Sequence, residues 1–383
     1  MKPGQEGQLL FNKVWKAPDT WAAGNQTLSW SASLNNDLGL VWSKETRQWW
    51  GFSLTTGEYL WGPTASEQYL GIYGTSTALD NGKFYQCYMS GIVYCYDTQN
   101  GKLQWTYNVK DPDNEILWSD NWPMRIQFIA AGKIYLVEGE HSPNQPLPRG
   151  GPMVCLNATT GELIWSVNMM YYYRTNVIIG DNIIALMNSY DQQVYAIGKG
   201  PSATTVTAPD ISVELGKSVM IKGKVIDTSP GTEKYALTTR FPNGVPAVSD
   251  ESMSSWMEYV YMQMPRPTNA TGVIVLIDVI DSNGNNRNIG STTTDASGVF
   301  TFEWKPDITG KFTVTATFAG SKAYYPSSAE TGFVVDAAPA TPTPTPQQLQ
   351  SNSDMYFVPA IAGIIVAIAI GFAVTILVLR KRP

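Results

Sequence analysis

The sequence predicts an all-β protein: a partial β-propeller, then a β-sandwich, a Pro/Thr stalk and one C-terminal transmembrane helix. Three observations predict it. A strand–turn–strand unit closed by tryptophan recurs through the first two hundred residues, a different β-rich alternation follows, and an uncharged apolar run ends the chain.

The repeat comes first because it sets the architecture. Trp50-Gly51-Phe52-Ser53 through Gly57-Glu58-Tyr59-Leu60-Trp61 aligns without gaps with Tyr94-Cys95-Tyr96-Asp97 through Gly101-Lys102-Leu103-Gln104-Trp105. It aligns equally with Val154-Cys155-Leu156-Asn157 through Gly161-Glu162-Leu163-Ile164-Trp165. Each copy reads as a strand, a tight turn ending in glycine, and a second strand. An Asp or Asn side chain can bond the turn backbone, and glycine supplies the positive φ. Val194-Tyr195-Ala196-Ile197 keeps the strand and loses the turn. Upstream of the copies lie hairpins such as Asp80-Asn81-Gly82-Lys83-Phe84-Tyr85 and Ala131-Gly132-Lys133-Ile134-Tyr135, so the unit is about four strands, one propeller blade. Gly51, Cys95, Cys155 and Ala196 share one slot, which asks for a small side chain and makes both cysteines packed thiols.

The pattern Gly-Lys-aromatic-Tyr, Tyr-small-apolar-Asp, Thr-Gly-x-x-x-Trp, clearest over Asn81 to Trp105, resembles the PQQ-like quinoprotein β-propeller repeat, with coverage over residues 1–200. The resemblance implies that Trp61, Trp105 and Trp165 pack between neighbouring blades. Gly7-Gln8-Leu9-Leu10-Phe11 fits the end of a blade with Phe11 in the tryptophan slot. The expectation is therefore an N-terminally incomplete propeller, with further blades and a signal peptide before Met1.

Residues 203–336 carry alternating β-branched strands such as Val219 to Val225, Val273 to Ile280, Val299 to Trp304 and Phe312 to Phe318, the layout of an antiparallel sandwich. The run Thr294-Asp295-Ala296-Ser297-Gly298-Val299-Phe300, with Ala319-Gly320-Ser321-Lys322-Ala323-Tyr324-Tyr325-Pro326, resembles Ig-like modules of archaeal cell-surface proteins. That resemblance implies a spacer or adhesion module. An insertion, residues 235–267, contains a helix over Ser249 to Met262 whose Met253, Trp256, Met257 and Val260 share a face. It reads as a helix on the sandwich edge, or as an apolar patch that binds a partner.

Residues 337–354 form a Pro/Thr-rich stalk of polyproline type, and residues 355–379 a span long enough to cross a bilayer. The basic tail, 380–383, contains Arg380-Lys381-Arg382. Positive charge beside a span marks the cytoplasmic side, so the reading is a single-pass cell-membrane protein, N-out and C-in, with its bulk extracellular. Asn25, Asn157 and Asn269 each begin an N-x-S/T triplet on the outward side and are candidate N-glycosylation sites.

Composition narrows the chemistry. A net charge of −6 without a basic stripe argues against nucleic acid. A single histidine argues against His-based metal or triad sites, and three cysteines are too few for a disulfide framework. One loop departs from its repeat: it gathers Glu140, His141 and Arg149 and reads as a ligand loop or as a Pro-stiffened surface loop. Asp111-Pro112-Asp113-Asn114-Glu115 lacks EF-hand spacing and reads as a solvated turn. Resemblance to quinoprotein dehydrogenases would imply adjacent cysteines and a calcium-holding acidic set, and neither is in the sequence. No catalytic, metal or cofactor residue is therefore assigned, and PQQ with calcium is not expected. The reading is a membrane-anchored surface protein, its propeller a non-catalytic platform for an extracellular protein or glycan. Alternatives are a PQQ-dependent dehydrogenase fragment and an envelope-assembly scaffold.

Overall fold

A computed structural model of the chain describes Gly4 and residues 6–112, 119–139, 151–169, 177–189, 191–339 and 352–382. They fall into two units, residues 1–335 and 336–383. The protein is mostly β, with several propeller-like sheets, few helices and one apolar helix near the C-terminus.

Three four-stranded antiparallel sheets come first. Blade one is β1 (Leu28–Ser33), β2 (Leu38–Ser43), β3 (Gln48–Phe52) and β4 (Tyr59–Trp61). Blade two is β5 (Ser76–Asp80), β6 (Lys83–Cys87), β7 (Ile92–Asp97) and β8 (Leu103–Asn108). Blade three is β9 (Met124–Ala130), β10 (Lys133–Glu138), β11 (Gly151–Asn157) and β12 (Leu163–Met169). Among the described residues blade four has three strands: β13 (Ile178–Gly180), β14 (Ile183–Asn188) and β15 (Gln193–Ile197).

The recurring glycine has two causes. Gly57, Gly101 and Gly161 have φ of 71°, 69° and 77°, which L side chains rarely adopt. Each also lies under an aromatic ring from upstream. A Cβ on Gly101 would fall 2.5 Å from the Trp61 ring, one on Gly161 2.6 Å from Trp105, and one on Gly57 2.5 Å from Phe11. Blades one and two thus each hand an aromatic side chain to the turn of the next, and Phe11 does for blade one what Trp61 does for blade two. The Trp61 indole N–H also donates to the Thr98 carbonyl at 2.7 Å. The matching carbonyl in blade three, Ala158, accepts the Tyr85 hydroxyl at 2.9 Å instead, and the Trp105 N–H has no protein partner.

Between blades the side chains form continuous cores. Leu38, Leu40, Trp42 and Trp49 of blade one meet Phe84, Ile92, Tyr94 and Tyr96 of blade two. Tyr85, Cys87, Val93 and Cys95 of blade two meet Ile134, Leu136, Val154 and Leu156 of blade three. Tyr135, Val137, Met153 and Cys155 of blade three meet Val177, Ile184 and Leu186 of blade four. All three cysteines are free and buried. Burial pushes the Cys95 and Cys155 thiols up, to about 12 and about 11, so they pack as neutral side chains.

Beyond blade four the strands are β16 (Ser202–Thr207), β17 (Val213–Glu214), β18 (Val219–Asp227), β19 (Val245–Pro246), β20 (Ile274–Ile280), β21 (Asn286–Thr293), β22 (Val299–Trp304), β23 (Gly310–Phe318) and β24 (Ser327–Asp336). They build two sheets. In one, β18 pairs with β16 on one side and with β19 and β22 on the other; the second runs β17-β24-β23-β20-β21. Alternation along β18, β20 and β23 points Ile221, Val225, Val275, Ile277, Val314 and Ala316 into one shared core. The tail of blade four is stitched to this region, because Gly200 N–H donates to Ala323 and its carbonyl accepts from Tyr325, both at 2.8 Å.

The insertion contributes α1 (Tyr235–Arg240) and α2 (Met253–Met262). On α2, Trp256 and Val260 are buried, while Met253 and Met257 also touch the two-sheet core. The helix reaches further than the edge of the two-sheet region. Met262 packs against the core of blades three and four, and Glu258 accepts the Asn168 backbone N–H at 2.7 Å. Burial raises the Glu258 carboxyl.

In the second unit α3 (Asn352–Arg380) is long and apolar enough to cross a membrane. Its candidate span, Met355–Arg380, has 26 residues. At about 1.5 Å per residue it exceeds a hydrocarbon core of roughly 30 Å. Thr375 turns its hydroxyl onto the Gly371 carbonyl at 2.7 Å, which hides a polar side chain along the apolar run. Most of the stalk, residues 340–351, lies outside the described residues.

Candidate functional site

Up-and-down strand order puts the connections of every blade at alternate ends. At one end lie tight turns, such as Asn81-Gly82 and Thr98 to Gly101. At the other end lie the links from β2 to β3, β6 to β7 and β10 to β11, together with every crossing from one blade to the next. The crossings between blades are the long connections, so this end is the long-loop face, and loops of this kind carry function.

Its best-formed feature is built around Glu67, in the crossing from β4 to β5. The side chain is only 5% exposed. One carboxyl oxygen accepts the Trp49 indole N–H at 2.9 Å and the Tyr96 hydroxyl at 3.1 Å. The other accepts the Gln86 amide at 2.5 Å. The backbone is held as firmly: Glu67 N–H donates to the Arg47 carbonyl at 2.9 Å, and Arg47 Nε donates back to the Glu67 carbonyl at 2.8 Å. One residue thus clasps a loop to strands of blades one and two. Burial pushes its carboxyl up to about 7, with the three donors and the Arg47 charge opposing that rise.

Beside Glu67 a narrow recess is walled by Trp42, Tyr69, Gly71, Gly74, Gln86 and Tyr88. Two buried polar atoms of its lining residues, the Trp42 Nε1 donor and the Gln86 Oε1 acceptor, have no protein partner. Buried polar groups are otherwise almost always paired. A group that both accepts and donates, as a hydroxyl does, matches this pair.

The neighbouring turn is wedged tight. The Ser90 carbonyl accepts Ser119 Oγ at 2.9 Å and Asn121 Nδ2 at 3.0 Å, and a Cβ on Gly91 would fall 2.4 Å from Asn121. Asp111, which the sequence reading puts in a solvated turn, is 3% exposed and belongs to this packed crossing. Residues 113–118 lie outside the described residues, as do Glu140, His141 and Arg149. The segment carrying those last three joins β10 to β11, both of whose ends open on the long-loop face. Among the described residues no three His, Cys, Asp or Glu side chains cluster as metal ligands would.

The remaining sequence candidates are dispersed. Asn25 and Asn269 are exposed. Asn157 is half-buried at a tight turn, where its Oδ1 accepts the Thr159 and Thr160 N–H groups at 2.8 and 3.1 Å. Trp61 and Trp105 cover the glycines described above, and Trp165 sits half-buried against Tyr135, ring centres 6.1 Å apart. Glu67 was missed by sequence reasoning. The crossings between blades do not align with one another, so no repeat position marks it, and a glutamate between Ser66 and Gln68 reads as solvated.

Comparison with known proteins agrees with the repeat. Residues 23–200 match the family model described as outer membrane protein assembly factor BamB, so the blades carry BamB-like, PQQ-type repeats. No curated protein sequence matches the chain. Among solved structures, BamB from Moraxella catarrhalis is 12% identical, with 70% of each chain covered and a TM-score of 0.31. The computationally designed Ika4 protein is 9% identical over 46% of this chain and 92% of its own, with a TM-score of 0.31. A europium-containing methanol dehydrogenase is 11% identical over 50% of this chain and 47% of its own, with a TM-score of 0.27. Scores of this size leave the fold resting on the sheets themselves and on the repeat match.

Proposed function

We propose that this is a membrane-anchored cell-surface protein whose propeller-like blades are a non-catalytic platform for an extracellular protein or glycan. The observation that carries the reading is the long-loop face, braced by the buried Glu67 clasp and bordered by the Trp42–Gln86 recess. The two-sheet region after blade four acts as an Ig-like spacer, and the Pro/Thr segment as a stalk that holds it off the membrane. Arg380, Lys381 and Arg382 favour a cytoplasmic C-terminus. Asn25 and Asn269 are the better placed of the three glycan acceptors, being exposed.

A second reading, an envelope-assembly scaffold, is favoured by the match of residues 23–200 to an assembly-factor model. The two separate in cells. Cross-linking to surface glycans or to proteins of neighbouring cells supports the platform; cross-linking to outer membrane proteins under assembly supports the scaffold. External protease on intact cells should remove an epitope placed before residue 336 and spare a C-terminal tag. Addition of PQQ with calcium should give neither stoichiometric quinone absorbance nor alcohol-dependent dye reduction. Both appearing together would sink the non-catalytic reading and leave a dehydrogenase fragment.

A further inference from the structure

The recess beside Glu67 has the makings of a ligand subsite. Trp42 lies near the end of β2 and Gln86 near the end of β6, while residues 69–75 belong to the crossing from β4 to β5. Its walls therefore come from two blades and one loop of the long-loop face. Trp42 is 2% exposed and Gln86 4%, yet the indole N–H of the first and the amide oxygen of the second have no protein partner. Buried polar groups left unmet destabilise a fold, so two in one recess point to something that meets them. The loop is shaped to leave room for it. At Gly71 a Cβ would fall 2.8 Å from the Gly74 carbonyl oxygen and 3.2 Å from the Trp42 ring, whereas at Gly74 it would meet nothing within 4 Å.

The Gln86 oxygen is aimed there by Glu67. An ionised carboxylate only accepts, so the Gln86 amide turns its NH2 to Glu67, at 2.5 Å, and its oxygen is left for the recess. A protonated carboxyl reverses this. Glu67 Oε1 already accepts from Trp49 and Tyr96, so the proton sits on Oε2 and needs an acceptor. The Gln86 oxygen supplies one only when the amide turns over, and the NH2 then faces the recess beside the Trp42 N–H. The ionised state thus offers a donor with an acceptor, and the neutral state two donors. Burial pushes the Glu67 carboxyl up to about 7, within reach of both states. Around it, Arg47 adds its positive charge, and burial pushes the Tyr94 and Tyr96 hydroxyls and the Cys87 thiol up, so these stay neutral.

We propose that the recess binds a hydroxyl group of a neutral saccharide, which donates to Gln86 Oε1 and accepts from Trp42 Nε1 while Glu67 is ionised. This rests on the platform reading and narrows its ligand to a glycan. A hydroxyl carries donor and acceptor on one atom, as this pair requires. Nothing in the walls asks for a charged ligand: Glu67 is the only charged side chain among the lining residues, and three donors already occupy its carboxylate. Trp42, Tyr69, Tyr88 and Met89 supply the apolar and aromatic surface that ligand sites set around a few placed polar groups, and the C–H faces of a sugar ring match it. The recess takes one hydroxyl or hydroxymethyl group, with the rest of the ring lying over the exposed loop residues Ile72 and Tyr73. An ordered water has the same donor and acceptor and is the competing occupant.

The test uses the full chain in detergent, labelled with fluorotryptophan and followed by fluorine NMR; the Trp42 signal is the one that Trp42→Phe removes. Methyl glucoside, methyl galactoside and methyl mannoside are titrated near pH 8 and near pH 5. At least one should shift the Trp42 signal saturably near pH 8. Its dissociation constant should rise about tenfold or more near pH 5, as the ionised fraction of Glu67 falls. Glu67→Gln, held in the turned-over state at every pH, should bind as weakly near pH 8 as wild type does near pH 5. Circular dichroism checks the fold of both variants. No saturable shift with any of the three sugars, the result a resident water alone would give, overturns the proposal. So does an affinity that is equal at the two pH values or unchanged in Glu67→Gln. Cross-linking on cells that is the same for Trp42→Phe and wild type would overturn the subsite and leave the platform standing.

Discussion

Trp61→Ala should lower the unfolding free energy by about 3–5 kcal/mol, the range for emptying a buried aromatic site. The indole does three things at once. It covers Gly101, it fills the space over Gly51, where a Cβ would lie 2.3 Å from the ring, and it donates to the Thr98 carbonyl. Alanine removes the ring and leaves that carbonyl without its donor. Trp105→Ala should cost less, because that ring is half-buried and its N–H has no protein partner to lose. Urea titration followed by far-UV circular dichroism gives the ranking. Equal costs at the two positions would show that the Thr98 bond contributes nothing.

The second large effect is on pH dependence and comes from Glu67. Its folded carboxyl sits at about 7, above the ordinary value of 4.5, with burial as the chief cause. A raised carboxyl favours the folded state when protonated. The contribution is complete below about 4.5 and is lost as pH rises through 7. A shift of this size corresponds to roughly 3 kcal/mol between the two limits. Glu67→Gln cannot ionise, keeps an oxygen for the Trp49 and Tyr96 donors, and, with the Gln86 amide turned over, donates its own amide to Gln86 Oε1. The variant should match wild type near pH 4 and exceed it by up to about 3 kcal/mol near pH 8. Unfolding curves of both proteins at the two pH values check this, and parallel pH profiles would refute the buried-carboxyl account. Glu67→Ala has a different signature. It strands three buried donors and should destabilise the protein at both pH values.

These two residues also mark what could be read from the sequence. Trp61 was legible because it recurs: glycine, three residues, then an aromatic, at 57–61, 101–105 and 161–165. Period-two alternation exposed the strands beyond residue 203, and the uncharged run after Tyr356 announced its helix, because each follows from local geometry. Glu67 was not legible. Its environment is assembled from Trp49, Gln86 and Tyr96, three strands in two blades, and no spacing along the chain encodes that meeting. Asp111 failed for the same reason: beside proline and asparagine it looks solvated, and only the packing of a crossing buries it. The insertion helix falls between these cases. Its apolar face was visible, but its contacts with blade three come from strands about ninety residues away, as the Glu258 bond to Asn168 shows.

The forward hand-over of aromatic rings has a consequence for how such chains change over generations. Phe11 gives its ring to blade one, blade one gives Trp61 to blade two and blade two gives Trp105 to blade three, so this stretch of the array has a direction. Duplicating or deleting one whole unit leaves every junction with a giver and a taker. Losing half a unit leaves a bare glycine on one side and a homeless ring on the other. Lineages carrying this device should therefore vary in steps of complete repeats.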